Sequence, residues 1–267
     1  MGVAWRVSFV PSNQENPVAY TPTKLNGETI YRNEVFQTGL MSQLIDGIYD
    51  GEMTIGELLG HGNFGVGTFN GLDGEMIVLD GNCYQMRHDG SISQVSLDQK
   101  TPFAVIMNFV PTIRKGLPNK ILRKSASQVL DDFTVSKNYM YAIKIVGDFD
   151  WIRTRTVQKQ TKPYPKMVDA TANDEIVQFD NVRGTIVGFR TPIYEQGIGV
   201  PGCHAHFIDD EHEKGGHVID FKLDNAYVEI CIGTDLNLHL PLTSEFSAAD
   251  LSPEDLAEQI SKAELHG

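Results

Sequence analysis

The chain has 267 residues, of which 41% are hydrophobic, and its formal net charge is −13 at pH 7. This length and apolar content are typical of a globular protein with a sizeable buried core, and they exclude a disordered or fibrous chain. An acidic surface repels phosphate backbones, so we expect no nucleic-acid partner. An anionic substrate would need basic residues placed locally around its site.

The N-terminal sequence and the cysteines give an expectation for the compartment. Residues 1–17 show no basic region followed by an apolar run, so no secretory signal is expected. No stretch reaches the roughly 18 apolar residues of a membrane span, so we expect no membrane partner. Three cysteines, Cys83, Cys203 and Cys231, form an odd and sparse set that is typical of reduced thiols. We therefore expect a cytoplasmic protein, with secretion of a longer precursor as the open alternative.

Hydrophobic periodicity and turn residues predict a mixed α and β class (α+β) in which antiparallel sheet dominates. Residues 1–30 are expected to form an irregular arm, and Asp-Gly turns predict an antiparallel meander over 63–110. Helices are predicted near 38–47, from Thr54, over 125–134, and from Ser252 to about Ala263. Further strands are predicted over 139–147, 151–157, 176–190, 203–208, 217–223, 226–232 and 236–240.

A candidate domain boundary lies at Lys162-Pro163-Tyr164-Pro165, because two prolines within three residues interrupt regular structure. The sequence thus predicts two sheet-based domains. Residues 1–160 would form a mixed-sheet domain with short helices, and residues 161–267 a sheet domain that carries the terminal helix.

Three histidines in the C-terminal half have the spacing of a metal site. His204 and His206 are two apart, so on a strand both point to one face, with Cα atoms roughly 6–7 Å apart. The charged segment 209–216 ends in Gly-Gly and predicts a hairpin loop, which returns His217 beside the pair. Three imidazoles leave open positions on a metal, as catalytic zinc sites do. Cys203 is expected to face away from the metal, and His212 to lie in the solvated loop.

Other interpretations of these histidines stay open at this point. Each could be an ordinary half-buried strand residue. A cupin-like oxygenase or isomerase also uses H-x-H, but the required glutamate would be Glu211, which lies in the charged loop, and His217 follows too soon. A metal-storage or sensor protein would close the coordination with four protein ligands.

Several ordered blocks of the chain, including this stretch, resemble the acetolactate decarboxylase family. The resemblance runs from about Val35 to Glu264. The matching blocks are Phe36-Gln-Thr with Met41, Gly65–Asn70, Leu72–Glu75, Arg155–Val157, Gln160–Pro165, Gly184–Phe189, Val200–Phe207 and Gly215–His217. The resemblance implies a homodimeric carboxy-lyase that converts (S)-2-acetolactate to (R)-acetoin and carbon dioxide, in acetoin and butanediol biosynthesis. It also implies a zinc ion held by His204, His206 and His217.

The same resemblance implies catalytic roles for Glu75, Arg155 and Glu264. Arg155 lies in an alternating run that predicts Arg153 on the same strand face, and the match selects Arg155 as the residue that binds the substrate carboxylate. Thr68, beside a glycine-rich turn, is a further candidate for substrate binding. Glu264 is three residues from the printed end, where the terminal helix is expected to carry it across the pocket.

The chemistry of decarboxylation explains why such residues are needed. Loss of carbon dioxide leaves an electron pair that the neighbouring ketone accepts, giving an enediolate. A zinc ion chelated by the substrate's hydroxyl and ketone oxygens would polarise the ketone and stabilise that charge. A buried carboxylic acid, or a water that it positions, would then deliver a proton. We find no dinucleotide or thiamine-type signature, so we expect no organic cofactor.

Overall fold

The computed structural model describes residues 22–172 and 174–264, and the structural statements below concern these residues. They form sixteen strands: β1 (Thr23–Leu25), β2 (Glu28–Ile30), β3 (Glu34–Thr38), β4 (Met53–Thr54), β5 (Phe64–Thr68), β6 (Glu75–Leu79), β7 (Asn82–Met86), β8 (Ile92–Gln94), β9 (Lys100–Thr101), β10 (Ala104–Met107), β11 (Ile113–Gly116), β12 (Met140–Arg155), β13 (Val177–Thr191), β14 (Gly202–Asp209), β15 (Gly215–Gly233) and β16 (Asp235–His239).

Six α-helices connect or cover these strands. They are α1 (Met41–Ile45), α2 (Ile55–Leu59), α3 (Arg123–Phe133), α4 (Met167–Ala170), α5 (Ser244–Ala248) and α6 (Leu256–Glu264). Short 3-10 turns lie at Asn70–Leu72 and Ile193–Glu195. The predicted mixed α and β class with largely antiparallel sheet is confirmed. No helix within the described ranges is long and apolar enough to cross a membrane.

One sheet contains seven strands in the order β16-β3-β10-β5-β6-β7-β8. Its β5–β8 part is the predicted antiparallel meander, in which each strand pairs with the next. The sequence did not predict the edge pairing, where β16 lies parallel to β3. This pairing brings a C-terminal strand onto an N-terminal sheet.

The second sheet contains five strands in the order β11-β15-β12-β13-β14, and β14 also pairs with the start of β15. Strands β12, β13, β14 and β15 are therefore linked in a closed ring of pairings. The strands predicted over 139–147 and 151–157 are one strand, β12, and those predicted over 217–223 and 226–232 are one strand, β15. The polar residues between them are β-bulges, since the register shifts around Phe149 where β12 faces β15.

The two sheets do not follow the predicted boundary at residues 160–161. Strands β11 and β12 precede it but belong to the five-stranded sheet, whereas β16 follows it but belongs to the seven-stranded sheet. The largest apolar cluster contains residues of both sheets, such as Val66 and Val187, both fully buried. The division into two domains stays a prediction, and each sheet contains strands from both sides of the predicted boundary.

Several local predictions have a clear structural outcome. Thr54 caps α2 with the predicted box, in which the Glu57 carboxylate accepts from the Thr54 amide at 2.9 Å. The predicted irregular arm is wrong for residues 23–30, which form the hairpin β1–β2, because Asn26 and Gly27 adopt the positive φ that its two-residue turn requires. Residues 1–21 of that arm lie outside the described residues.

The terminal helix α6 begins later than expected. A helix from Ser252 was predicted, but residues 253–255 form a turn in which the Leu256 amide donates to the Pro253 carbonyl at 3.1 Å. Leu256 and Ile260 pack against the main apolar cluster, as their spacing indicated. The helix is thus anchored on the body of the protein, and it ends at the site described next.

Candidate active site

Three strands place a row of polar side chains on one face of the five-stranded sheet. The antiparallel register pairs Arg155 of β12 with His217 of β15, and His217 with His206 of β14. Directly paired residues project from the same face of a sheet. His204 lies two residues before His206 and therefore shares that face. The hairpin thus brings the three predicted histidines together, with their candidate ligand atoms all within 4.8 Å of one another.

Backbone carbonyls orient two of the imidazoles. The Nδ1 of His206 lies 2.8 Å from the Met76 carbonyl, to which its N–H donates a hydrogen bond, so in the neutral ring Nε2 carries no proton. The Nε2 of His217 lies 3.2 Å from the Glu264 carbonyl, so in the same way its Nδ1 is free. Such outer hydrogen bonds fix the tautomer of histidines that bind metals.

The histidines fit a metal ion by burial and by protonation state. Burial lowers the pKa of His206 to about 4 and holds the pKa values of His204 and His217 well below their usual range. Neutral imidazoles are the form that binds metals. The buried Nε2 of His206 has no hydrogen-bond partner among the described residues, as a ligand atom should. Three such ligands leave coordination positions open.

Among the residues that it describes, the structure does not place those that a cupin-type site or a closed four-ligand site would require around these histidines. Glu211, which a cupin-type site would need, is exposed in the β14–β15 turn. His212 is also exposed there, as expected. Cys203 packs against the apolar cluster on the far side of the sheet, away from the histidines. Carboxylate oxygens of Glu75 and Glu264 lie beside individual histidines, but in the described part of the chain the group whose ligand atoms all lie within 4.8 Å of one another contains only the three histidines.

Glu75 and Thr68 reach the site from the seven-stranded sheet, where they form a cross-strand pair between β5 and β6. The Oε2 of Glu75 lies 3.3 Å from His206 Nε2, and its Oε1 accepts a long bond of 3.4 Å from the Val157 amide. Burial raises the pKa of Glu75 to about 8, although Arg155 opposes the shift. The Thr68 hydroxyl donates to the Gly74 carbonyl at 2.7 Å, so it is left as an acceptor.

Glu264 is the last residue of α6, and its side chain is buried against the histidines. Its Oε2 lies 3.5 Å from His204 Nε2 and 3.8 Å from His217 Nδ1. Burial raises the pKa of this carboxyl, with Arg155 acting in the opposite direction. The docked helix therefore places the Glu264 carboxyl beside His204 and His217.

Arg155 is buried, but Arg153 is exposed, so the expectation that both lie on one strand face is wrong. The register shift between Arg153 and Thr154 is the reason, because a bulge reverses the alternation of side chains. Arg155 Nη1 donates to Asp174 Oδ2 at 2.7 Å, and Nη2 donates to the Ala263 carbonyl. Its Nε is buried without a hydrogen-bond partner among the described residues.

A partly enclosed cavity joins these groups. All the predicted site residues except His206 line it, and His206 lies directly behind Glu75. The remaining walls are largely apolar and come from α1, α4, β5 and the segments next to them and after β12: Met41, Leu44, Gly67, Leu72, Phe103, Val157, Met167 and Thr171. Sequence reasoning missed Asp174, which lies in an irregular segment with no motif, and the Met76 carbonyl, which only the packing of the two sheets reveals.

Comparisons with known proteins agree with this arrangement. Residues 35–253 match the family model described as alpha-acetolactate decarboxylase. A protein of that name from Bacillus subtilis strain 168 is 42% identical over 232 residues, which cover 87% of this chain and 91% of that one. One from Methylococcus capsulatus is 44% identical over 220 residues, 82% of this chain and 85% of that one.

A solved structure extends the likeness to the fold. The crystal structure of alpha-acetolactate decarboxylase from Bacillus subtilis strain 168 superposes with a TM-score of 0.85, covering 87% of this chain and 99% of that one. The family model covers most of the chain, and the relatives are matched over nearly their whole length. This chain therefore belongs to the alpha-acetolactate decarboxylase family.

Proposed function

We propose that this enzyme decarboxylates (S)-2-acetolactate to (R)-acetoin and carbon dioxide, with zinc held by His204, His206 and His217. The observation that carries the proposal is the convergence of three neutral imidazoles, two buried carboxyls and one guanidinium on a single cavity. The names of the family's relatives supply the substrate. When bound, the zinc ion supplies a Lewis acid that polarises the ketone and stabilises the negative charge left by decarboxylation.

Arg155 would hold the substrate carboxylate. A buried guanidinium stays charged at any relevant pH and binds carboxylates through directed N–H groups. Its Nε is the guanidinium nitrogen without a partner among the described residues, so it is available to a ligand. This local positive charge also offsets the electrostatic repulsion between an anionic substrate and a chain of net charge −13.

Glu75 and Glu264 would hold the proton and deliver it to the enediolate. After carbon dioxide leaves, one carbon of the enediolate must receive a proton on one face, which sets the handedness of acetoin. Burial raises the pKa of both carboxyls, and that of Glu75 reaches about 8. A carboxyl whose pKa is raised by burial holds its proton more readily and can donate it to the enediolate. The two acids lie against different histidines and come from different elements, Glu75 from β6 and Glu264 from the end of α6.

The apolar walls would exclude water and contact the methyl groups of the substrate. Leu44, Phe103 and Met167 line the cavity together with the catalytic candidates. A dry site strengthens electrostatic interactions and protects the enediolate from stray protonation. The Thr68 hydroxyl, which already donates to Gly74, would accept a hydrogen bond from the substrate's hydroxyl.

We extend the proposal to assembly and place of action. The family resemblance supports a homodimer, which sedimentation or light scattering of the purified protein would measure. The three cysteines are free thiols, which agrees with a cytoplasmic enzyme in acetoin and butanediol biosynthesis.

The direct test is to incubate the purified protein with racemic acetolactate. We expect acetoin and carbon dioxide in equal amounts, consumption of one substrate enantiomer first, and an excess of one acetoin enantiomer. Oxygen uptake should be zero, which separates this reaction from that of a metal oxygenase. Activity that survives complete removal of metal would overturn the zinc assignment, and absence of acetoin would overturn the substrate.

A further inference from the structure

The guanidinium of Arg155 is held at two of its three nitrogens by the protein itself. Nη1 donates to Asp174 Oδ2 at 2.7 Å, and the side chains of both residues are only 4% exposed. Nη2 donates to the Ala263 carbonyl. Because the guanidinium is planar, fixing two nitrogens fixes the direction of the third. Nε is that third nitrogen, and Arg155 lines the cavity.

We propose that Asp174 is a positioning residue, which holds the Arg155 guanidinium so that Nε presents its proton to the substrate carboxylate in the cavity. The inference rests on the proposed function, because it needs a substrate with a carboxylate. Asp174 itself bonds the outer side of the guanidinium and is not a cavity-lining residue. Its effect on the reaction therefore passes through Arg155.

The local chain structure presents Asp174 for this contact. Helix α4 ends at Ala170, and the hydroxyl of the next residue, Thr171, donates to the Met167 carbonyl at 3.0 Å. The Asp174 amide then donates to the Thr171 carbonyl at 3.2 Å. Met167 and Thr171 line the cavity. One compact segment thus supplies both an apolar wall and the carboxylate that orients Arg155.

The same guanidinium also anchors the end of α6. Ala263, whose carbonyl accepts from Nη2, directly precedes Glu264. A rotation of the guanidinium would therefore disturb a neighbour of the tail glutamate as well as the direction of Nε. Misplacement of a reacting group by about 1 Å can cost on the order of a hundredfold in rate. Asp174 consequently influences both substrate binding and turnover.

A competing explanation is that Asp174 only balances the buried charge of Arg155. The two explanations predict different series of variants. Asp174→Asn keeps an acceptor at the same place but removes the charge, Asp174→Glu keeps the charge but moves the carboxylate, and Asp174→Ala removes both. Positioning ranks the losses as Ala largest, Glu intermediate and Asn smallest. Charge balance makes Asn as damaging as Ala and leaves Glu nearly harmless.

The measurement is the dissociation constant of two ligands for the zinc-loaded variants, by calorimetry. One ligand is the reduced analogue 2,3-dihydroxy-2-methylbutanoate, which has the carboxylate but no ketone and is not decarboxylated. The other is 2-methylbutane-2,3-diol, which lacks the carboxylate. We expect Asp174→Ala to weaken the acid by about 10- to 100-fold, the range of a hydrogen bond to a charged group, and the diol by less than about threefold.

Three controls accompany the series. Asp150→Asn removes an ion-paired aspartate elsewhere on β12, where it contacts Lys120 at 2.7 Å, and should change neither constant. Zinc content and circular dichroism report whether each variant folds. If Asp174→Ala does not fold, Asp174→Glu tests the inference in its place. In an Arg155→Ala background, Asp174→Ala should add no further loss for the acid.

Each outcome decides the inference. Equal weakening of acid and diol, equal losses in Asp174→Asn and Asp174→Ala, or a further loss without Arg155 would overturn it. Acetoin production by the wild-type protein is measured in parallel. Its absence refutes the proposed function, whereas an active wild type with unimpaired Asp174→Ala and Asp174→Glu variants refutes the positioning role alone.

Discussion

The histidines and the glutamates reach the cavity by different routes. His204, His206 and His217 lie within 14 residues of one another on the β14–β15 hairpin, where the register of two adjacent strands alone brings them together. Glu75 and Glu264 come from β6 in one sheet and from the end of α6, almost 190 residues apart in the chain. The metal-site candidates are thus a local feature, whereas the carboxyls depend on tertiary packing.

This difference separates two properties of the enzyme. Metal binding should depend on the hairpin and tolerate changes in α6, because all three imidazoles come from the hairpin, whereas the helix contributes the Glu264 carbonyl and the neighbouring Glu264 carboxyl. Proton transfer should depend on the docking of α6 and on the contact between the two sheets. Variants that remove one property and retain the other therefore test the division directly.

The largest effect is expected from the hairpin. His204→Ala, His206→Ala and His217→Ala should each lose zinc and reduce turnover on the order of a thousandfold or more, since a metal supplies several kcal/mol of charge stabilisation. His212→Ala, in the exposed turn of the same hairpin, should keep both. Metal analysis and acetoin assays measure the two properties. A cavity-histidine variant with full zinc content would break the assignment of the site.

Removal of the tail acid should give the next largest effect. Deleting residues 264–267 should leave zinc content and folding largely intact but lower turnover by roughly two orders of magnitude, the range that general acid catalysis supplies. Deleting 265–267 alone should be much milder. Glu264→Gln is the cleaner variant, because it retains the backbone carbonyl that accepts from His217 Nε2.

The comparison of these truncations is decisive because only one residue distinguishes them. Equal turnover in both would remove Glu264 from the mechanism. Loss of zinc in Glu264→Gln would instead show that metal binding is not a property of the hairpin alone. That result would contradict the separation of metal binding by the hairpin from proton transfer by α6.

A smaller effect is expected at Arg155, which connects both routes through its pairing with His217 and its bond to Ala263. Arg155→Lys keeps the positive charge but loses the planar fork, so it cannot bond Asp174, Ala263 and a substrate carboxylate together. We expect about a 10- to 100-fold lower kcat/KM with normal zinc content, from the loss of one charged hydrogen bond. A fully active Arg155→Lys enzyme would contradict the role of the fork.

The sequence predicted those parts of the fold that local signals determine. Asp-Gly turns gave the meander, and Thr54 with Glu57 gave the start of α2. Long strands were divided wrongly, because the polar residues at bulges look like loops in a single sequence. The parallel pairing of β16 with β3 was also missed, since it joins segments about 200 residues apart and leaves no local pattern.

The same reasoning explains which site residues were found. Histidine spacing within one hairpin is visible in the sequence, whereas Glu75, Arg155 and Glu264 were assigned by family resemblance. Asp174 has neither signal, because it lies in an irregular segment and acquires meaning only from its contact with Arg155. The bulge that separates Arg153 from Arg155 is likewise a property of strand pairing, so alternation alone placed both on one face.

The last effect concerns the stability of the metal-free protein rather than turnover, and it follows from the burial of Glu75. The folded protein raises the pKa of Glu75 from 4.5 to about 8, so it holds this proton more tightly than the unfolded chain does. The stabilising contribution is then full below pH 4.5 and is lost as the pH rises through 8. Glu75→Gln cannot ionise, so with chelator present it should gain stability over wild type between these values, by no more than about 5 kcal/mol. The depressed pKa of His206 acts at acid pH and is common to both proteins.

Denaturant melts at pH 5 and pH 8 measure the difference, with Glu258→Gln, an exposed residue of α6, as the matched control. Bound zinc should shrink the gain at pH 8, because a nearby cation favours the ionised carboxylate. An identical pH dependence in Glu75→Gln and wild type would show that this carboxyl is not held in a dry site, and proton donation would then belong to Glu264 alone.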